Sequence, residues 1–266
     1  MKQLSQYIQE KLHISNYKKY KHNYFPKTKE ELEELIKELL NKRGNDADLN
    51  DIDTSKITDM SGLFSFDRYD SDSKNFCGDI SHWDVSNVKY MQSMFSYSDF
   101  NSDISNWDVS NVESMASMFQ HAKKFNQDIS KWNVSKVEDM QWMFSLAAEF
   151  NQDIGNWDVS KVTNMSSMFR LTKKFNQDIS KWNVSGVHSM RDMFVESVFN
   201  KDISSWDVSN VTGFYDMFRK SKFDKDLNNW KVNKDALLYN MFDDCPIKQK
   251  NKLPKWYHEE KETVIL

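Results

Sequence analysis

Hydrophobic and polar positions along this chain recur with a fixed period. Trp83, Trp107, Trp132, Trp157, Trp182, Trp206 and Trp230 stand 24 or 25 residues apart. Each unit reads F-N-x-D-I-S-x-W-D-V-S-x-V-x-x-M-x-x-M-F, as from Phe125 to Phe144. A degenerate copy at residues 48–64 opens the series, with Ile52 in place of the tryptophan and Ile57, Met60 and Phe64 at the later positions. A constant apolar skeleton at such a period marks units that bury their faces by stacking. Thirteen of the fourteen methionines occupy two positions of the unit or their equivalents, so these flexible side chains fill regular layers.

Two patterns meet inside one unit. Around the tryptophan the chain alternates, with Trp132 in, Asn133 out and Val134 in, which predicts a short strand. Beyond the serine the spacing changes to threes and fours. Val137, Met140, Met143, Phe144 and Ala147 share one helical face, which predicts a short helix or a 3₁₀ turn. Ser110 with Glu113, and Ser135 with Glu138, read as capping boxes for it; Thr163 and Thr212 stand where other units have the glutamate. The expected architecture is an α/β repeat solenoid whose short strands pair in parallel about 4.8 Å apart.

The ends depart from the repeat, as terminal caps do. A helix is expected over 28–43. Thr28 and Glu31 form a capping box after Pro26, and Leu32, Leu35, Ile36, Leu39 and Leu40 make one apolar face. Lys42 and Arg43 close the last turn before Gly44. Leu4, Tyr7, Ile8 and Leu12 predict a second, shorter helix. Residues 1–46 are thus an N-terminal helical cap, residues 47–246 about eight repeats, and residues 247–266 a C-terminal cap. Pro246, Leu253, Pro254, Trp256 and Tyr257 close the last coil.

The units resemble the BspA-like, leucine-rich-repeat-related repeats of bacterial surface proteins, a repeat of unknown function. The resemblance covers about residues 48–246. It implies a leucine-rich-repeat-like right-handed coil of short parallel strands and short helices that binds other macromolecules. Many members are secreted or lipid-anchored adhesins. Here the amino terminus shows neither an apolar leader core nor a lipobox cysteine, so the expected location is cytoplasmic, with the cell surface as the alternative.

Composition narrows the function. The net charge of −4 and pI near 5.9 give no basic excess, so nucleic acid is an unlikely partner. No apolar run reaches the roughly 18 residues of a membrane span. Cys77 and Cys245 have no C-x-x-C companion and read as reduced core residues. His13, His22, His82, His121, His188 and His258 are scattered, and no nucleophile elbow, phosphate loop or dinucleotide fingerprint is present. No catalytic residue and no cofactor are assigned. The sequons at Asn133, Asn183 and Asn210 are by-products of the repeat.

Asp79, Asp103, Asp128, Asp153, Asp178, Asp202 and Asp226 form a column, with Asn101, Asn126, Asn151, Asn176 and Asn200 beside it. Stacked carboxylates suit calcium. Calcium-binding rolls are glycine-rich, however, and six glycines in the whole chain favour a structural ladder that satisfies backbone donors. No metal is therefore expected. What remains is surface. Two outward columns flank the tryptophans, and Lys131, Asn133, Asn156, Asp158, Lys181 and Asn183 lie in their middle, as the expected partner-binding face. Lys123-Lys124 and Lys173-Lys174 on the helix side compete with it. Trp142, Leu146, Leu171, Val195, Val198, Phe214 and Tyr215 depart from the consensus and are candidate anchors. These features point to a non-enzymatic protein–protein interaction scaffold. A surface adhesin is one alternative. A nucleic-acid-associated protein using the tyrosine–lysine segment Tyr17–Lys27 is another.

Overall fold

The computed structural model describes residues 21–65 and 75–258. The expected helix around Leu4–Leu12 and the first part of the Tyr17–Lys27 segment lie outside the described residues.

Helix α1, Lys29–Arg43, starts where Thr28 Oγ1 accepts from the Glu31 amide at 3.3 Å. Glu31 Oε2 reaches back to the Lys27 amide at 2.7 Å, one residue earlier than a capping box requires. It ends as Gly44, at φ 90°, returns its N–H to Leu40. Leu32, Ile36, Leu39 and Leu40 are buried in the common core. Polar contacts fix the helix on the first coil: Lys29 Nζ donates to Ser61 Oγ, and Arg43 donates in fork geometry to Asp51 and singly to the Asp48 carbonyl.

The repeats are neither strands nor helices, and the expected α/β solenoid is overturned. Among the described residues the only helices are α1 and the four-residue α2, Pro246–Gln249. Neighbouring units pair through isolated parallel bridges, Asp59–Tyr90–Ser114–Asp139–Asn164–Ser189–Gly213–Leu237, with Asp48–Asp79 as a second bridge between the first two units. No ladder extends from them, so there is no sheet among the described residues. The tryptophan segment does alternate, with Trp132 and Val134 buried and Asn133 exposed. Its backbone nonetheless closes on itself, because the Trp132 amide donates to Ile129 and the Val137 amide to Val134. These are two β-turns rather than a strand.

Hydrogen bonding also explains why the helix is absent. In the unit from Asp139 to Ala147, the amides of Met143, Ser145 and Ala147 donate three residues back, to Met140, Trp142 and Phe144. The alternate amides of Met140, Trp142, Phe144 and Leu146 donate across to Asn164, Ser166, Met168 and Arg170 of the next coil at 2.8–3.1 Å. Half the donors serve the local turns and half the stack, so the continuous i→i−4 ladder of a helix cannot form. The capping boxes fail for the same reason: the Glu138 amide donates to the Glu113 carbonyl one coil back, not to Ser135.

Each unit therefore needs two left-handed residues, the third in each of two type II turns. Trp142 (φ 61°) and Leu146 (φ 62°) hold these places in one coil, and fourteen non-glycine residues hold them in seven coils. Only the degenerate first coil uses a glycine, Gly62 at φ 72°. Side chains then lock the stack. Phe95, Phe119, Phe144, Phe169, Phe194, Phe218 and Phe242 stack at centroid spacings of 5.6–5.9 Å. A second phenylalanine column lies 3.7–4.3 Å from the first. Each indole donates to a carbonyl of the preceding coil, as Trp132 Nε1 does to Ile104 at 3.1 Å and Trp157 Nε1 to Ile129 at 3.1 Å. Trp256 continues the column, stacked on Trp230 at 6.2 Å.

The two departures from expectation have opposite mutational signatures. Lys220 is exposed at φ 55°. Lys220→Gly should stabilise the protein by up to about 1 kcal/mol, whereas in a helix the same change costs about 1 kcal/mol. The sign of the shift in the urea midpoint decides between turn and helix. Trp132→Phe keeps most of the ring but leaves a buried carbonyl short of a donor, and should cost about 1–3 kcal/mol in the same titration. An unchanged midpoint would remove the indole bond from the account.

Candidate interaction surface

The aspartate column is bound within its own coil. Asp128 Oδ1 accepts from the Ser130 amide at 2.9 Å, and Asp103, Asp178 and Asp202 do the same with Ser105, Ser180 and Ser204. Asp79 pairs with Ser81, Asp153 with the Gly155 amide, and Asp226 with Asn228. These are Asx turns that open the tryptophan segment. The cross-coil ladder belongs to the asparagines instead. Asn101 Oδ1 accepts from the Asn126 amide, Asn126 from Asn151, Asn151 from Asn176 and Asn176 from Asn200, all at 2.8–3.0 Å. Gln127, Gln152 and Gln177 add Nε2 bonds to the backbone carbonyls of Asn101, Asn126 and Asn151. Of Asn126-Gln127-Asp128, two residues tie coils together and the third shapes a turn. Among the described residues no three His, Cys, Asp or Glu side chains converge as metal ligands would.

On the candidate face, Lys131, Asn133, Asn156, Asp158, Lys181 and Asn183 are all exposed, in three successive coils. Asn133, Asp158 and Asn183 each accept the amide of the serine two residues on, at 3.1–3.2 Å, which orients their side chains. Lys131 and Lys181 form no ion pair among the described residues. On the competing side, Lys124 pairs with Asp99 at 2.8 Å and Lys174 with Glu149, each one coil back. Lys173 Nζ donates to the Glu196 carbonyl.

Of the consensus departures, Val195 and Phe214 are buried, while Trp142, Leu146, Leu171, Val198 and Tyr215 are half-buried. Cys245 is buried, which raises its thiol pKa, but Cys77 is exposed and is not a core residue. Two features escaped sequence reasoning. Arg191 lies over the Tyr215 ring at 4.8 Å and pairs with Asp192. Leu237 and Tyr239 stand exposed on the last coil. The signal was available as departures from the repeat at those columns, but it carried no indication of which side faced water.

With this geometry in view, comparison with known families places the chain. Residues 31–156 and 139–256 match the family described as "Mycoplasma protein of unknown function, DUF285". The chain belongs to that repeat family, which is related to the BspA-like repeats. No curated protein and no solved structure matches it. No described helix is long and apolar enough to cross a membrane.

The Asx turns and ion pairs make stability acid-sensitive. Serine hydroxyl and amide donors hold the Asp128 and Asp158 carboxyls below the usual range. The serine amide and hydroxyl do the same for Asp178 and Asp202. Lys250, with Asn200, brings Asp224 down to about 2. A carboxyl whose folded pKa is depressed contributes stability that is fully present above its unfolded value, near 3.9, and lost as pH falls through the folded value. The urea midpoint should therefore hold steady from neutral pH to about pH 5 and fall steadily below it, with a shallower fall in Asp224→Asn. A midpoint that stays flat down to about pH 3 would contradict this linkage.

Proposed function

We propose that the protein is a non-enzymatic scaffold that binds another protein through the polar face centred on Lys131, Asn133, Asn156, Asp158, Lys181 and Asn183. The observation that carries the reading is the contrast between the two lysine sets. Lys131 and Lys181 form no ion pair among the described residues, whereas Lys124 and Lys174 are paired with carboxylates of the preceding coil. The face stands on backbone closed by turns within each coil and tied to the preceding coil by the buried indoles, so ordering it on binding costs little beyond side-chain freedom. Its exposed aspartates, in a row beside the lysines, are unfavourable for phosphate, which supports a protein partner over nucleic acid. Mixed polar character fits a reversible complex.

The test compares two paired charge reversals on a partner captured by the full chain and then purified. Lys131→Glu with Lys181→Glu should weaken binding about tenfold or more, a loss typical of charges at an interface. Lys124→Glu with Lys174→Glu should leave it within about twofold. The reverse ranking would move the site to the lysine pairs on the other side.

A further inference from the structure

The two outward columns that flank the tryptophans give each coil a single charge between them. From the coil of Trp107 to that of Trp230 the charged residues are Asp108, Lys131, Asp158, Lys181, Asp207 and Lys231, so the sign alternates coil by coil. All six are exposed, and none forms an ion pair among the described residues. The Asx-turn aspartates beside them add one carboxylate to every coil alike, so the difference between neighbouring coils stands. Alternation by itself would serve charge balance within one stack. The ends do not fit that purpose. Asp84, in the coil before Asp108, doubles the negative end. Lys255, beside the Trp256 that continues the column, doubles the positive end.

Read backwards, this series returns with every sign inverted, doubled ends included. A two-fold axis lying in the face, across the stack and between the coils of Trp157 and Trp182, would therefore set each coil against one of opposite charge. Asp158 meets Lys181 of a second copy, Lys131 meets Asp207, Asp108 meets Lys231 and Asp84 meets Lys255. Such an axis also keeps each column over itself. In the column after the tryptophan, Asn133 faces Asp207 and Asn183 faces Asp158. Asn133 and Asn183 give Oδ1 to serine amides at 3.2 Å, which leaves each Nδ2 to donate to the facing carboxylate. Asp158 and Asp207 have Oδ1 held by the Ser160 and Ser209 amides at 3.1 Å, so Oδ2 is the acceptor. In the column before the tryptophan, Lys131 faces Ser205 and Lys181 faces Asn156, and no lysine faces a lysine. Sliding one copy by one coil brings like signs together at the centre. Parallel docking sets each coil against its own sign.

We infer that the tryptophan-side face binds a second copy of the chain in antiparallel, two-fold register. The inference rests on the reading of that face as a protein-binding surface and names its partner. An isologous contact of this kind closes on itself, so the product is a dimer and not a fibre. The contact is made of exposed polar and charged groups, so the dimer is reversible and sensitive to salt. Like charges met in any other register or orientation select this one, as repulsive elements do in specific interfaces.

The test is sedimentation equilibrium of the full chain, with circular dichroism to check that each variant is folded. A dimer is expected at about 0.01 M salt, with its dissociation constant raised about tenfold or more at about 1 M. Lys131→Glu with Lys181→Glu should be monomeric at low salt, because carboxylate then meets Asp207 and Asp158. Asp158→Lys with Asp207→Lys should be monomeric too, because ammonium then meets Lys181 and Lys131. Lys231 already stands in the same column, so a lysine fits there. Mixed in equal amounts, the two variants regain opposite charge at every coil and should form a heterodimer. A natural chain that stays monomeric at low salt would overturn the inference. So would a dimer that either double variant keeps, or two folded variants that do not combine when mixed. If the natural chain is monomeric while Lys131→Glu with Lys181→Glu still weakens capture of a foreign partner, self-docking falls and the scaffold reading stands. If that capture is also unaffected, both fall.

Discussion

The structure depends on one constraint: along the turn run, successive amides must alternate between the coil they belong to and the coil that follows. If every amide served its own coil, the run would be a helix and the coils would have no backbone bonds between them. If every amide served its neighbour, the run would be a strand and could not turn within so short a unit. The alternation seen at Met140–Ala147 meets both demands and pairs every amide of that run, with the Gln141 amide on Asp139 Oδ1. Its cost is the pair of left-handed residues per unit, about 1 kcal/mol or more each, opposed by cross-coil bonds of similar individual worth and by complete burial of the phenylalanines beneath.

The side-chain columns follow from that backbone. Once coils are held in parallel register, identical residues fall above one another, and each type is used for what repetition allows. Phenylalanines stack face to face. Tryptophans fill the adjoining layer and place the indole N–H on the carbonyl of the coil before. Asparagine, with both an acceptor and donors, suits a ladder between coils. Aspartate, an acceptor alone, serves the turn within one coil. A column of aspartates bonded to its neighbours would instead bring like charges together without donors between them, so the division of labour between Asn126 and Asp128 follows from their chemistry.

Much of this was legible in the sequence, and the misreading has a definite cause. The period, the buried set and helix α1 could be read directly, because burial at a fixed spacing and a capped apolar face are one-dimensional signals. The secondary structure of the unit could not. Val137, Met140, Met143, Phe144 and Ala147 fit a helical face, yet two linked type II turns bury the same positions. What separates the two is the sign of φ at Trp142 and Leu146, and residues such as Trp and Leu give no hint of a left-handed conformation that usually selects Gly or Asn. Alternation around Trp132 misled in the same way, since turns at Ile129–Trp132 and Val134–Val137 expose and bury residues as a strand does. On the surface, the lysine columns were visible, but which cations were free depended on Asp99 and Glu149 falling one coil away, a matter of stacking register.

Saturation of the interior decides where recognition can occur. Along the turn run the backbone groups of an inner coil are spent on its neighbours, so what such a coil presents outward there is side chains. Among the described residues the stacking groups of the turn run lack a partner coil only at the two ends of the stack, and these ends are not equivalent. The first coil has carbonyls to spare and lies against α1, whose Lys29 reaches Ser61 beside them. Among the described residues the last coil has amides without an acceptor, and Trp256 and Tyr257 cover its aromatic core while Leu237 stands exposed. Polarity of the stack thus gives the described coils a donor end and an acceptor end.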